Sequence, residues 1–155
     1  QASGDVVLLT PGLQFNYQIS DRWKWSNTVR YNSVAGGSAS TFRLPEVMAL
    51  SQIAYRDELF QGQMIIQAGI DLFYQTAYEP LAYTPVTQQF YLQNGFESDA
   101  FLKGDVFLNL KVQSIIITAK MGHFNQPNNG GYFITPNYTG YERTLDLGVR
   151  WLFFD

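Results

Sequence analysis

The sequence predicts an all-β fold: an antiparallel transmembrane up-and-down β-barrel, with residues 1–155 supplying about seven C-terminal strands of a larger barrel. Three observations carry this. Apolar and polar side chains alternate with period 2 along segment after segment, as they do where successive side chains point to opposite faces of a strand. The segments run roughly 9 to 14 residues, whereas soluble strands are usually 5–6 and a tilted membrane strand needs about 9–11. Short and long connections alternate strictly, the pattern of periplasmic turns and extracellular loops.

The elements follow in chain order. Pro11–Ser20 sets Leu13, Phe15, Tyr17 and Ile19 against Gln14, Asn16 and Gln18. After the tight turn Ser20-Asp21-Arg22, Arg22–Asn32 sets Trp23, Trp25, Val29 and Tyr31 against Lys24, Ser26, Thr28 and Arg30. A long connection, Ser33–Thr41, leads to Phe42–Arg56, the least regular stretch, which Pro45 interrupts and whose facing is open. The short Asp57–Gly62 link leads to Gln63–Ala77, with Met64, Ile66, Ala68, Ile70, Leu72 and Tyr74 against Gln67, Gly69, Asp71 and Gln75. A second long connection, Tyr78–Leu102, precedes Asp105–Gln113, where Val106, Leu108, Leu110 and Val112 oppose Asp105, Phe107, Asn109, Lys111 and Gln113. Gln113-Ser114 leaves room only for a two-residue hairpin into Ser114–Phe124. The third long connection, Asn125–Tyr141, precedes Glu142–Phe153, with Leu145, Leu147, Val149, Trp151 and Phe153 on one face.

Composition agrees. Hydrophobic residues make up 46% and aromatics 16%, with 15% charged against about 25% in ordinary soluble domains, so the chain is not disordered. No apolar run exceeds four residues, so a spanning helix of about 20 is excluded. There is no cysteine, hence no disulfide scaffold or thiolate metal site, and the net charge of -3 leaves no basic footprint for nucleic acid. No initiator Met or charged-then-apolar leader precedes Gln1, so a signal peptide is expected to have been removed or to lie outside this piece. One segment spanning 1–155, with no separate soluble domain, is expected.

Alternation alone does not separate two architectures. In a soluble sandwich or small barrel the apolar face points inward; in an outer-membrane barrel it meets lipid and the polar face lines the lumen. Strand length, the rhythm of connections and the aromatics favour the second. Tyr17, Trp23, Trp25, Trp151 and Phe153 fall near the short-turn side, and Tyr31 and Tyr74 near the long-loop side, as in the two interfacial girdles of a barrel. The terminus W-L-F-F-D looks like the signal that the barrel-assembly machinery reads. An odd count of seven strands would leave edge N–H and C=O groups unpaired in lipid, and Asp5–Thr10 is too short for an eighth spanning strand. The remaining strands are therefore expected from the same larger barrel or from other outer-membrane subunits.

The C-terminal half resembles the putative porin family of Bacteroidota outer membranes. The resemblance rests on D-V-F-L-N-L-K from Asp105, I-I-I-T-A-K-M from Ile115, G-Y-F-I-T-P-N-Y from Gly131 and R-T-L-D-L-G-V-R-W-L-F-F-D from Arg143. Upstream, Tyr83-Thr84-Pro85 and Phe90-Tyr91-Leu92-Gln93 also fit. It covers the last 75 residues or so well and the first 80 by pattern only. It implies an outer-membrane location, chains several times longer than this one, and passive diffusion of small solutes. A non-conducting scaffold barrel, and a soluble all-β binding barrel, are the other readings.

No enzyme chemistry is expected. His123 is the only histidine and has no cluster for a metal, and Ser20, Ser26 and Ser114 lack a G-x-S-x-G context. Asn128-Asn129-Gly130-Gly131 reads as a turn and not a phosphate cradle, lacking a following Lys and helix. No cofactor or metal is implied. The lumen-facing candidates are Lys24, Arg30, Asp71, Asp105, Asn109, Lys111, Thr118, Lys120, Asp146 and Arg150, with Glu142 beside them. Lys111, Lys120, Asp146 and Arg150 are expected to form a cross-strand ion network, and the slightly basic face to favour anions mildly. The long connections are rich in Tyr, Phe, Asn and Pro and could fold into the mouth.

Overall fold

The computed structural model describes residues 5–127 and 132–153. In chain order its strands are β1 (Val6–Leu9), β2 (Gly12–Gln18), β3 (Trp23–Tyr31), β4 (Ser33–Gly36), β5 (Val47–Leu59), β6 (Met64–Gln75), β7 (Ala82–Thr84), β8 (Gln89–Tyr91), β9 (Phe101–Val112), β10 (Ile115–Gly122), β11 (Phe133–Thr135), β12 (Tyr138–Thr139) and β13 (Thr144–Trp151). The only helix among the described residues is a single 3₁₀ turn, Ala39–Thr41. Among the described residues no helix is long and apolar enough to cross a membrane.

Seven strands make one antiparallel sheet in the order β13-β10-β9-β6-β5-β3-β2. Each main strand pairs with its nearest main strand in sequence, an up-and-down meander. The sheet does not close: β2 and β13 are free edges, and every residue of both is exposed. Among the described residues the sheet thus forms no closed barrel, because an odd meander leaves its outer strands running in the same direction.

The register aligns side chains across all seven strands. Tyr17, Trp25, Ile53, Ile70, Val106, Met121 and Leu145 form one apolar row. Trp23, Tyr55, Ala68, Leu108, Ala119 and Leu147 form the next. The opposite face runs Gln18, Lys24 and Ala54 at one end, then Gln52, Asp71 and Asp105, and Phe107, Lys120 and Asp146. Among the described residues no second layer covers the apolar face. Only Ala54, Ala82 and Phe107 are buried apolar residues among those described, while Leu147 and Val149 are 76% and 73% exposed.

Three expectations change here. Ser33–Thr41, expected as a long connection, holds β4, which pairs with β1 inside Asp5–Thr10. β1 pairs with β4 in the same register in which β2 pairs with β3, so the two pairs are one long hairpin that Pro11 interrupts, since proline has no N–H to donate. The short link after β5 is tighter than the sequence suggests: Asp57 and Glu58 lie within the strand, and the chain reverses through Phe60 and Gln61, both at positive φ. The two longer connections are not structureless, since β7–β8 and β11–β12 are hairpins within them. The run Asn128–Gly131 and the last two residues, Phe154 and Asp155, lie outside the described residues.

Candidate functional site: the polar face and its loop cover

All ten residues singled out as facing a lumen share one face of the sheet. Lys24 and Arg30 project from β3, Asp71 from β6, and Asp105, Asn109 and Lys111 from β9. Thr118 and Lys120 project from β10, and Asp146 and Arg150 from β13. Glu142 precedes β13 and belongs to no strand. Lys103, outside the expected strand, joins this face because β9 begins at Phe101. The alternation of Phe101, Lys103, Asp105 and Phe107 was there to be extended backward.

The ion pairing differs from the expected network. Asp105, only 7% exposed, is the centre. Lys120 Nζ reaches its carboxylate at 2.9 Å and Lys103 Nζ at 3.3 Å. The backbone N–H of His123 donates to its other oxygen at 2.8 Å. Lys120 thus bonds back across β9 rather than forward to its cross-strand partner Asp146, because Asp105 is the buried carboxylate with the larger need of cations. Asp146 instead accepts from the Thr144 hydroxyl at 3.4 Å. Among the described residues Lys111 and Arg150 make no ion pair within 4.0 Å. Asp71, opposite Asp105, accepts from the Gln52 amide at 2.7 Å.

Over the long-loop end of this face lies an aromatic cluster. His123, 2% exposed, is the most buried large side chain. Its Nδ1 donates to the Tyr141 carbonyl at 3.0 Å, and its ring stands edge-on to Phe101 and Tyr132. Tyr132 stacks on Phe101 with centroids 4.4 Å apart. Burial pushes the phenols of Tyr132 and Tyr78 above their usual range. No spacing in the sequence signals this cluster, since its partners come from three separated segments. The loops also hold one another. Gln93 bonds both the Pro80 and Phe96 carbonyls, Thr135 donates to the Leu81 carbonyl, Tyr83 meets Tyr138, and Arg43 ties Glu79 to Asn94.

Two recesses result. The inner, about 640 Å³, is lined by Ser26, Gln52, Asp71, Lys103, Asp105, Lys120, Phe101 and Tyr132 among others. The outer, about 530 Å³, lies between the 96–101 segment, Tyr132, Phe133 and Ile134.

The seven aromatics expected at membrane interfaces all follow the apolar alternation. Tyr17, Trp23, Trp25, Trp151 and Phe153 gather at the short-turn end, where Tyr17 faces Trp25 and Trp151 stacks on Phe153 at 4.8 Å. Tyr31 and Tyr74 stand at the other end, facing Val47 and Ala49. Tyr55, missed in the irregular stretch, packs against Trp23 at 5.2 Å.

The sequence profile of the family described as "Putative porin" matches residues 1–155. The chain belongs to this family. The match extends through the first 80 residues, where the sequence offered pattern alone. No curated protein and no solved structure matches the chain. Porins are a non-enzymatic class. The site itself is a charged face of the sheet with loops folded across one end.

Proposed function

We propose that this chain is part of the wall of an outer-membrane β-barrel that lets small polar solutes diffuse passively through its lumen. One observation carries the reading: a seven-stranded sheet crossed from edge to edge by an apolar row that no second layer covers, with few buried apolar side chains among the described residues. In water such a sheet would leave most of its apolar area wetted, at about 25 cal/mol per Å². In a bilayer that face meets acyl chains and the polar face meets water.

Dimensions support it. β5, β6 and β9 hold 13, 12 and 12 residues, and at about 3.3 Å per residue they extend roughly 40 Å. A strand tilted by about 40° needs that length to cross a hydrocarbon core of about 30 Å. The free edges of β2 and β13 require further strands, an odd number of them if every pair is antiparallel, from the rest of the same polypeptide or from other subunits. In this reading the short turns lie in the periplasm and the long connections outside. The ten polar-face residues line the lumen, the aromatics anchor the two interfaces, and the barrel-assembly machinery inserts the protein.

The loops across the polar face also favour a second reading, a plugged scaffold barrel. Planar-bilayer recording of the full-length protein separates the two. Discrete conductance steps are expected, and a correctly folded protein without conductance would favour the scaffold. Reversal potentials in a salt gradient are expected to lean toward anions, because the polar face carries Lys24, Arg30, Arg56, Lys103, Lys111, Lys120 and Arg150 against Glu58, Asp71, Asp105 and Asp146.

A further inference from the structure

The two recesses share three residues: Phe73, Phe101 and Tyr132 line both. The outer recess opens among the long connections, and the inner one holds Asp71, Lys103, Asp105 and Lys120. The stacked rings of Phe101 and Tyr132 stand between them.

Tyr132 is held on several sides. Phe101 covers one face of the ring, and the His123 imidazole meets it edge-on at 5.4 Å. The Gly140 N–H donates to the Tyr132 carbonyl at 2.7 Å. A Cβ at Gly140 would collide with the Tyr132 ring, so only glycine lets the returning chain pass this close. An aromatic on a long connection usually samples several rotamers, but this one has little room to turn.

We propose that Phe101 and Tyr132 form a fixed aromatic sieve, and that Tyr132 sets the size limit for solutes entering the charged recess from the long-loop end. This rests on the pore reading above. The recess behind the sieve is close to self-neutral, with Lys103 and Lys120 against Asp71 and Asp105. Its selection is therefore by bulk more than by net charge, and the solutes it admits are small polar molecules.

The chain has no cysteine, so a single introduced thiol reports access cleanly. Ser26 lines the inner recess, and S26C differs from it by one atom. The full-length S26C protein is reconstituted and treated from the long-loop side with a small neutral methanethiosulfonate and, separately, with a bulky neutral maleimide. Adding Tyr132→Ala is expected to raise the bulky reagent's rate about tenfold while changing the small reagent's by less than about twofold. Tyr132→Phe, which keeps the ring, is expected to match the parent. Heat-modifiable migration on gels checks folding, and Tyr132→Leu serves if the alanine variant does not fold. Equal acceleration of both reagents, or none, overturns the sieve and leaves the pore intact. Failure of even the small reagent to reach the thiol in every variant overturns both.

Discussion

At Asn27 the register puts an amide on the apolar face, between Trp25 and Val29 and opposite Phe15 and Ser51. It is 8% exposed, and its Nδ2 has no hydrogen-bond partner among the described residues. The nearby Ser51 hydroxyl accepts from the Trp25 indole N–H at 2.9 Å. An unpaired buried donor costs about 1–3 kcal/mol. Asn27→Val removes it and adds a branched side chain suited to a strand. The variant is expected to unfold at higher urea in phospholipid vesicles, with a gain of about 1–2 kcal/mol. A loss of stability instead would mean that a neighbour beyond these 155 residues satisfies the amide. Asn27 also shows what alternation alone misses. It follows Trp23 and Trp25 in phase, yet a polar residue at an apolar position carries no sign of which face it takes. Lys103 was missed for another reason: it lies just beyond the point where the expected strand began. Asp105 was foreseen on this face but not in the ion network, and its pairing with Lys103 and Lys120 depends on burial that no spacing encodes.

Among the elements, β5 was the hardest to read and the most informative once paired. Val47, Ala49, Ile53 and Tyr55 lie on its apolar face, but Met48, Leu50 and Ala54 lie on the other, so neither period nor polarity marks a side. Its facing is set by its neighbours, through Trp25 opposite Ile53 and Ile53 opposite Ile70. β9 and β10 were more legible because one face of each keeps an unbroken apolar phase, Val106, Leu108, Leu110 and Val112 on the first and Ile115, Ile117, Ala119 and Met121 on the second. Phe107 explains part of the exception. This ring lies on the polar face, directly opposite Gly69, and is 8% exposed. A Cβ at Gly69 would come 2.7 Å from its Cζ and 2.5 Å from the Ile53 carbonyl oxygen. The aromatic fills the place a side chain on β6 would take, as aromatics do over strand glycines. Gly69→Ala therefore displaces both a ring and a backbone carbonyl. It is expected to destabilise the folded protein by about 1–3 kcal/mol in vesicle unfolding. Because the Ile53 oxygen cannot rotate away, trimming the ring with Phe107→Leu should restore only part of the loss, and full restoration would mean the backbone contact is slack.

For the whole molecule, the question is which solvent each face meets, and that reduces to one paired measurement. Ile70 sits near the middle of β6 in the apolar row that crosses all seven strands, and Thr118 sits near the middle of β10 on the opposite face. If acyl chains wet the apolar face, a lysine at Ile70 is placed near the bilayer midplane. It should cost about 2–4 kcal/mol, whereas a lysine on the lumen side at that depth meets water. Ile70→Lys is therefore expected to lower the unfolding free energy by that amount, or to block assembly, while Thr118→Lys leaves it within about 0.5 kcal/mol. A soluble layered fold predicts a different pair of results. There Ile70 would be a core position under a second layer, and any polar replacement would be damaging whether charged or not. Ile70→Ser separates these cases: in lipid it loses mainly apolar contact and should be far milder than the lysine, because a small hydroxyl can bond back to the strand. Parallel costs for lysine at Ile70 and Thr118, or for serine and lysine at Ile70, would remove the basis for calling this sheet a membrane wall.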